Sequence, residues 1–181
     1  MVRLEKAEGG IPMYLADAIK LKQLLLKQID KLLEEVERVA FIELEKDEPL
    51  PTIQSRSLED IEVELESIRT DLRRLDRLVC EANLRTVVET NDGPLPLVEA
   101  MEFAIQLRAQ ARMYQDLAER PKREFRTGYV EGTAVIKHAL YDPELYRLKA
   151  QDVEKRANRI ASAIEAANHR TEIDFDASRY M

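Results

Sequence analysis

The feature that most constrains the fold is a run of apolar residues that alternates three- and four-residue spacing without a miss. Its members are Leu58, Ile61, Leu65, Ile68, Leu72, Leu75, Val79 and Ala82. A helix with this spacing carries one apolar stripe along its whole length, and the stripe is stable only when another helix covers it. We therefore predict a helix over about residues 58–82 that packs lengthwise on a partner.

Three other segments carry a helical apolar period, and we predict helices over about 13–46, 97–120 and 143–167. Two proline-containing stretches, "DEPLPTIQSRS" and "TNDGPLP", separate the first three helices, because proline lacks the backbone N–H that a helix needs. Before the fourth helix, "TAVIKHALY" is rich in β-branched and apolar residues and predicts a short strand. Asp142 and Pro143 then form a typical helix start.

The first predicted helix has a wider apolar face than a two-helix seam requires. Besides a regular stripe it carries Leu24, Leu26 and Leu33, and a helix over 13–46 is a rod of roughly 50 Å. Such a face predicts contacts with more than one neighbour. We therefore expect a homo-oligomer, a dimer or larger.

The pentapeptide pattern Ala-Asn-x-Arg-Thr occurs twice, at 82–86 and 167–171. A shift of 85 residues places apolar residues of the second helix on apolar residues of the fourth, and Leu15 and Ala18 likewise match Leu97 and Ala100. The chain is thus interpreted as a single domain, 1–181, built from two repeats of about 13–89 and 95–176. The predicted fold is mainly α: an antiparallel four-helix bundle of two duplicated long helical hairpins, with short β-strands at helix ends.

The repeated pattern, here called the tag, predicts a helix end followed by a strand. Its residues are Asn83, Arg85 and Thr86 in the first copy and Asn168, Arg170 and Thr171 in the second. Asparagine tolerates the left-handed conformation that ends many helices, and the residues after it alternate apolar and polar like a half-buried strand. In this interpretation Thr86, Val88, Thr171, Ile173 and Phe175 point inward, and the two tags pair with each other in one small sheet.

Composition narrows the class of protein. The net charge is −7, which disfavours a large surface for nucleic acid or anionic lipid. Cys80 is the only cysteine, so an internal disulfide is excluded and a reducing compartment is favoured. No apolar run approaches the roughly 18–20 residues of a membrane span, and the N-terminal sequence is unlike a signal peptide. We expect a cytoplasmic protein.

The link "TNDGPLPLVEAM", the strand leading into "DPELYRL" and the closing Asn-x-x-Thr-Glu-Ile resemble a bacterial family known as septicolysin-like. The resemblance runs from about Leu15 to Phe175. The family name implies a cytolysin, and the resemblance implies no catalytic residues.

The sequence offers no constellation for catalysis or for a metal. A carboxylate-bridged metal site in a bundle needs Glu-x-x-His pairs, and neither His138 nor His169 is part of one. Cys80 has no predicted base beside it, and we find no nucleophile elbow and no phosphate-binding glycine loop. We therefore predict no catalytic, metal-binding or cofactor-binding residues, and a protein that is not an enzyme.

One basic stretch stands out against the acidic whole. "RPKREFR" carries Arg120, Lys122, Arg123 and Arg126 around Phe125. A solvated loop is the simpler interpretation of this patch, and binding of nucleic acid is the alternative. The leucine- and lysine-rich segment 19–36 likewise suggests burial in a bundle first and a membrane surface second. The predicted function is a non-enzymatic scaffold or protein-interaction protein; the alternatives are a membrane-perturbing protein and a nucleic-acid-binding helical hairpin.

Overall fold

A computed structural model describes residues 13–49, 56–127 and 134–180. Within these ranges the protein is mainly α, with four helices and three small antiparallel strand pairs, as predicted. The helices are α1 (Leu15–Ala40), α2 (Leu58–Arg85), α3 (Leu97–Ala118) and α4 (Pro143–Asn168). The strands are β1 (Met13–Tyr14), β2 (Val87–Thr90), β3 (Gly93–Pro96), β4 (Arg123–Thr127), β5 (Ala134–His138) and β6 (Glu172–Ile173).

The chain divides into two compact units. Residues 1–84 and 168–181 form the first unit, which contains β1, α1, α2 and β6. Residues 85–167 form the second unit, which contains β2, β3, α3, β4, β5 and α4. The strand that follows α4 in sequence therefore belongs to the unit of α1 and α2, and the strand that follows α2 belongs to the unit of α3 and α4.

In the first unit α1 and α2 run antiparallel. Lys22, near the start of α1, forms an ion pair with Asp76, near the end of α2. At the opposite end Arg56 lies between Glu35 of α1, at 3.0 Å, and Glu64 of α2. The predicted stripe of α2 supplies the buried side chains Ile61, Leu65, Ile68, Leu75, Val79 and Ala82. Those of α1 are Leu15, Ala18, Leu21, Leu25 and Leu32.

Two helix starts follow from local side-chain chemistry. The Asp60 N–H donates to Ser57 Oγ at 3.1 Å, and the Ser57 N–H donates to Asp60 Oδ2 at 3.2 Å, which is a capping box. The hydrogen bond from Ser57 also lowers the pKa of the Asp60 carboxyl. At α4 the Glu144 N–H donates to Asp142 Oδ1 at 3.2 Å, so Asp142 caps this helix as predicted.

The first helix ends six residues earlier than predicted, at Ala40. Phe41 is extended, with φ −131° and ψ 143°, and its side chain is 74% exposed. An aromatic and a β-branched residue favour extended backbone, and the exposed Phe41 and Ile42 lack the packing that would prolong the helix. With 26 residues, α1 is as long as α4, so the prediction that α1 is longer than its neighbours is wrong.

In the second unit α3 and α4 also run antiparallel, and three tyrosines join the end of one to the start of the other. The Tyr141 hydroxyl donates to the carbonyl oxygen of Leu117 at 2.9 Å. The Tyr146 ring meets Tyr114 edge-on at 5.4 Å and Tyr141 at 5.1 Å, which are favourable aromatic geometries. Between the helices, β4 and β5 form a hairpin in which Phe125 lies opposite Ile136. The predicted strand is thus confirmed as β5, while β4 was not predicted.

Candidate interaction surface

The tags begin two strands, and the structure corrects their pairing. β6 pairs with β1, and β2 pairs with β3, so the tags do not pair with each other and the predicted single sheet is wrong. Each tag instead makes the same bond to the start of a helix. The Leu15 N–H donates to the Thr171 oxygen at 2.8 Å, and the Leu97 N–H donates to the Thr86 oxygen at 2.8 Å.

The sequence concealed the true partner of the first tag because that partner is "GPLP", which contains two prolines. The bond between Leu97 and Thr86 makes this a hydrogen-bonded pair, so alternate pairs along the ladder are not hydrogen-bonded. Pro94 and Pro96 lie at those alternate positions, where their missing N–H groups are not needed. Only at Gly93, with φ 109°, does the turn require a glycine conformation.

Other parts of the tag prediction divide. The inward residues Val88, Ile173 and Phe175 are buried, and Thr86 and Thr171 are half-buried. The left-handed helix ends are wrong, because the described residues contain no positive φ outside glycine. The helix passes through Asn83 to end at Arg85, and α4 ends at Asn168. Arg85 and Arg170 are exposed. The tags therefore close helical units and gather no reactive side chains.

Beyond β6 the chain lies along α2. Phe175 is 9% exposed, and the Arg74 guanidinium lies 5.9 Å from its ring centre. The Tyr180 hydroxyl donates to Asp71 Oδ2 at 2.5 Å, and the Arg179 Nη1 lies 3.9 Å from the same oxygen. Burial, and then the hydrogen bond and charge of Asp71, raise the pKa of Tyr180 to about 12.

Under the shift of 85 residues, Asp71 corresponds to Arg156 of α4, and the charge arrangement there is reversed. Arg156 forks onto Asp92 in the β2–β3 turn, with distances of 3.0 and 3.1 Å. A cavity of about 50 Å³ opens beside this pair, lined by the turn and by α4. Sites for small molecules are typically about 300–1,000 Å³. This cavity is too small for such a ligand, and the ion pair already occupies its polar groups.

The most extensive unexplained feature is an apolar line on α1. Ile19, Leu26 and Leu33 are 36%, 45% and 43% exposed, and they follow one another at seven-residue spacing. We call these three residues the outer face of α1. A shift of 82 residues places Met101, Arg108 and Gln115 of α3 on the same positions. Because α3 has polar residues at two of them, a helix in this role does not require leucines there.

The predicted basic patch lies at the base of the β4–β5 hairpin. Arg120 and Lys122 are exposed between α3 and β4, Arg123 is the first residue of β4, and Arg126 is a later one. Phe125 is 76% exposed among them. The patch is therefore carried by paired strands, where the sequence suggested a loop.

The described residues bring no chemical site together. They contain no group of three His, Cys, Asp or Glu side chains that could hold a metal. Cys80 is exposed on α2, and His138 is exposed at the end of β5. Among the helices that the structure describes, none is both long and apolar enough to cross a membrane.

No family model matches the chain, and no curated protein matches it. Among solved structures, the chain is similar to a functionally unknown conserved protein from Corynebacterium diphtheriae. The two are 23% identical, the match covers 91% of this chain and all of the other, and the TM-score is 0.59. At this identity the likeness extends to the fold alone, which this chain shares with a protein found in a bacterium.

Proposed function

We propose that the protein is a non-enzymatic scaffold that self-associates through the outer face of α1. The observation that carries the proposal is the line of Ile19, Leu26 and Leu33, which remains exposed after the first unit has formed its own core. Seven residues are two helical turns, so the three side chains extend over about 21 Å of one helix. An aligned apolar line of this kind is the usual seam between two helices.

The architecture proposed for this scaffold is two copies of one helical hairpin in a four-helix bundle. Its support is the equal bond of Leu15 to Thr171 and of Leu97 to Thr86, which recurs at the positions that the repeat alignment pairs. We also propose membership of the septicolysin-like family, on the resemblance of the linking and closing motifs.

Self-association is tested by light scattering after gel filtration across the micromolar range. The wild type is expected to be a dimer or larger. Leu26→Glu places a charge in the seam and is expected to give a monomer with unchanged helicity, because an unpaired buried charge costs several kcal/mol. The matched control is Leu145→Glu, at a leucine of α4 with similar exposure, 49%; this variant is expected to associate like the wild type.

A wild type that is monomeric throughout this range refutes the proposal. Release of dye from lipid vesicles by the wild type, lost in Leu26→Glu, would assign the same leucines to a membrane. A protein that associates equally well with and without Leu26 would place the interface elsewhere.

A further inference from the structure

The connections at the free ends of the two helical hairpins carry opposite charge. After α1, residues 41–45 have the sequence "FIELE", and Asp47 and Glu48 follow. Phe41 is extended, and Phe41 and Ile42 are both exposed. Within the described part of the chain, residues 41–45 are not paired with any strand. We call residues 41–45 the acidic segment.

The other connection is the β4–β5 hairpin, which we call the basic hairpin. Arg123 lies opposite His138 and Phe125 opposite Ile136, so these four residues share one face. Lys137 and Val135 are exposed in β5 and belong to the other face. A sheet of two strands leaves two edges open, and a lone hairpin is marginally stable in water. The basic hairpin therefore has both the unpaired backbone groups and the exposed apolar surface that a third strand would cover.

The alternation of side chains in the two elements is compatible. In an extended segment Phe41, Glu43 and Glu45 share one face, and Ile42 and Leu44 share the other. One register places Phe41 near Phe125 and the glutamates near Arg123. Added strands gain affinity from backbone hydrogen bonds and specificity from alternate side chains.

Charge selects the occupant. The whole chain has a net charge of −7, yet residues 120–127 carry four basic residues against one glutamate. Residues 41–49 carry four acids against one lysine. A nucleic acid would meet the repulsion of the acidic remainder, whereas a second copy of this chain presents an acidic, apolar and unpaired segment.

We propose that the acidic segment of one copy adds as a third strand to the basic hairpin of a second copy. This contact deepens the proposed scaffold function, since it rests on self-association, but it uses surfaces that are separate from the outer face of α1. It joins unlike surfaces, so it closes reciprocally in a two-fold pair or continues into a larger assembly.

The test uses the full chain with Leu26→Glu, which removes the proposed α1 seam. We compare the acidic-segment reversal Glu43→Lys/Glu45→Lys with the basic-hairpin reversal Arg123→Glu/Lys137→Glu by analytical ultracentrifugation at low and high salt. Each reversal alone is expected to raise the dissociation constant by about tenfold or more at low salt. Mixing the two reversed proteins is expected to restore association, because the charges are again opposite.

The matched control is Glu62→Lys/Glu165→Lys, which makes the same change of charge at exposed residues of α2 and α4 and is expected to leave association unchanged. Ile42→Pro removes one backbone N–H from the acidic segment and is expected to weaken the contact without altering charge.

The outcomes separate the two proposals. If the Leu26→Glu protein is monomeric at low salt, the strand contact is overturned and the α1 seam stands. If Leu26→Glu associates like the wild type and each reversal dissociates it, the seam is overturned and the strand contact stands. If the mixture fails to associate, or if the basic hairpin shifts a single-stranded RNA while no self-association depends on it, the strand contact is overturned.

Discussion

Phe175 offers the sharpest test of how the segment after α4 is held in the first unit. The perturbation is Phe175→Ala. The ring is buried against α2 beneath Arg74, close to the end of β6. If this segment belongs to the core of the unit, removal of the ring should lower the stability of the whole unit.

The magnitude follows from the burial of the ring. A phenylalanine buries about 150–250 Å², and at about 25 cal/mol per Å² its nearly complete burial corresponds to about 3–5 kcal/mol. Alanine retains part of this area, and the unfolded chain already buries some of it. Loss of the contact with the Arg74 guanidinium adds less than about 1 kcal/mol. We expect Phe175→Ala to lower the free energy of unfolding by about 3 kcal/mol, as for other buried aromatics.

The assay is urea unfolding followed by helical circular dichroism, with Arg170→Ala and Glu172→Ala as controls on exposed side chains of the same segment. Both controls should stay within about 0.5 kcal/mol of the wild type. The slope of free energy against urea should not change if the mutation acts on stability alone. A loss below about 0.5 kcal/mol for Phe175→Ala would refute the reasoning, because the segment would then be attached to α2 without contributing to its core.

Four further results are expected. Tyr180→Phe removes the bond to Asp71 and should cost about 1 kcal/mol near neutral pH. Because the folded pKa of Tyr180 is raised to about 12, its stabilisation is present below the unfolded value of about 10 and is lost as pH rises through about 12; the difference between wild type and variant in urea midpoint should therefore shrink above pH 10. Gln28→Met should raise the free energy of unfolding by about 1 kcal/mol, since the Gln28 Oε1 is buried without a hydrogen-bond partner in the described chain. Ser57→Ala should lower it by about 1 kcal/mol through loss of the cap, while Ser57→Asp should restore most of the loss. Addition of a chelator should leave the melting temperature unchanged, because the described residues contain no metal-ligating cluster.

The helices were predictable because their signals are local and redundant. The stripe of α2 repeats its period many times, and Ser57 with Asp60 marks its start independently. The end of α1 was not predictable in the same way. Its apolar period continues beyond Ala40, and the change to extended backbone at Phe41 depends on the absence of a packing neighbour, which no local pattern records.

The strands mark where sequence reasoning failed. β1 has only two residues, so it cannot display a period. β3 carries two prolines that argue against a strand until the register is known, and β4 is dominated by basic residues that suggested a loop. The tags were recognised as strands but assigned to each other, because similarity between two segments says nothing about which other segment each one meets.

The candidate surfaces were predicted unevenly for the same reason. The extra leucines of α1 could be recognised from the sequence, since a wide apolar face is visible in the periodicity. The acidic segment was noted only as charge, and its combination of exposure, extended backbone and missing strand partner is a property of the fold. The basic patch was found, but its pairing in a hairpin with Phe125 beside it was not.

The pairing of β1 with β6 has a consequence for the time course of synthesis. Met13 lies opposite Ile173, so nearly the whole described chain is made between the two halves of one small sheet. While a ribosome is still making the second repeat, the Leu15 N–H at the start of α1 lacks the Thr171 carbonyl that accepts it in the finished unit. β2 and β3, by contrast, meet across a short turn soon after they emerge. The first unit to begin on the ribosome is thus the last to close, and nascent chains stopped before residue 171 should leave the start of α1 open to proteases while the β2–β3 hairpin is already formed.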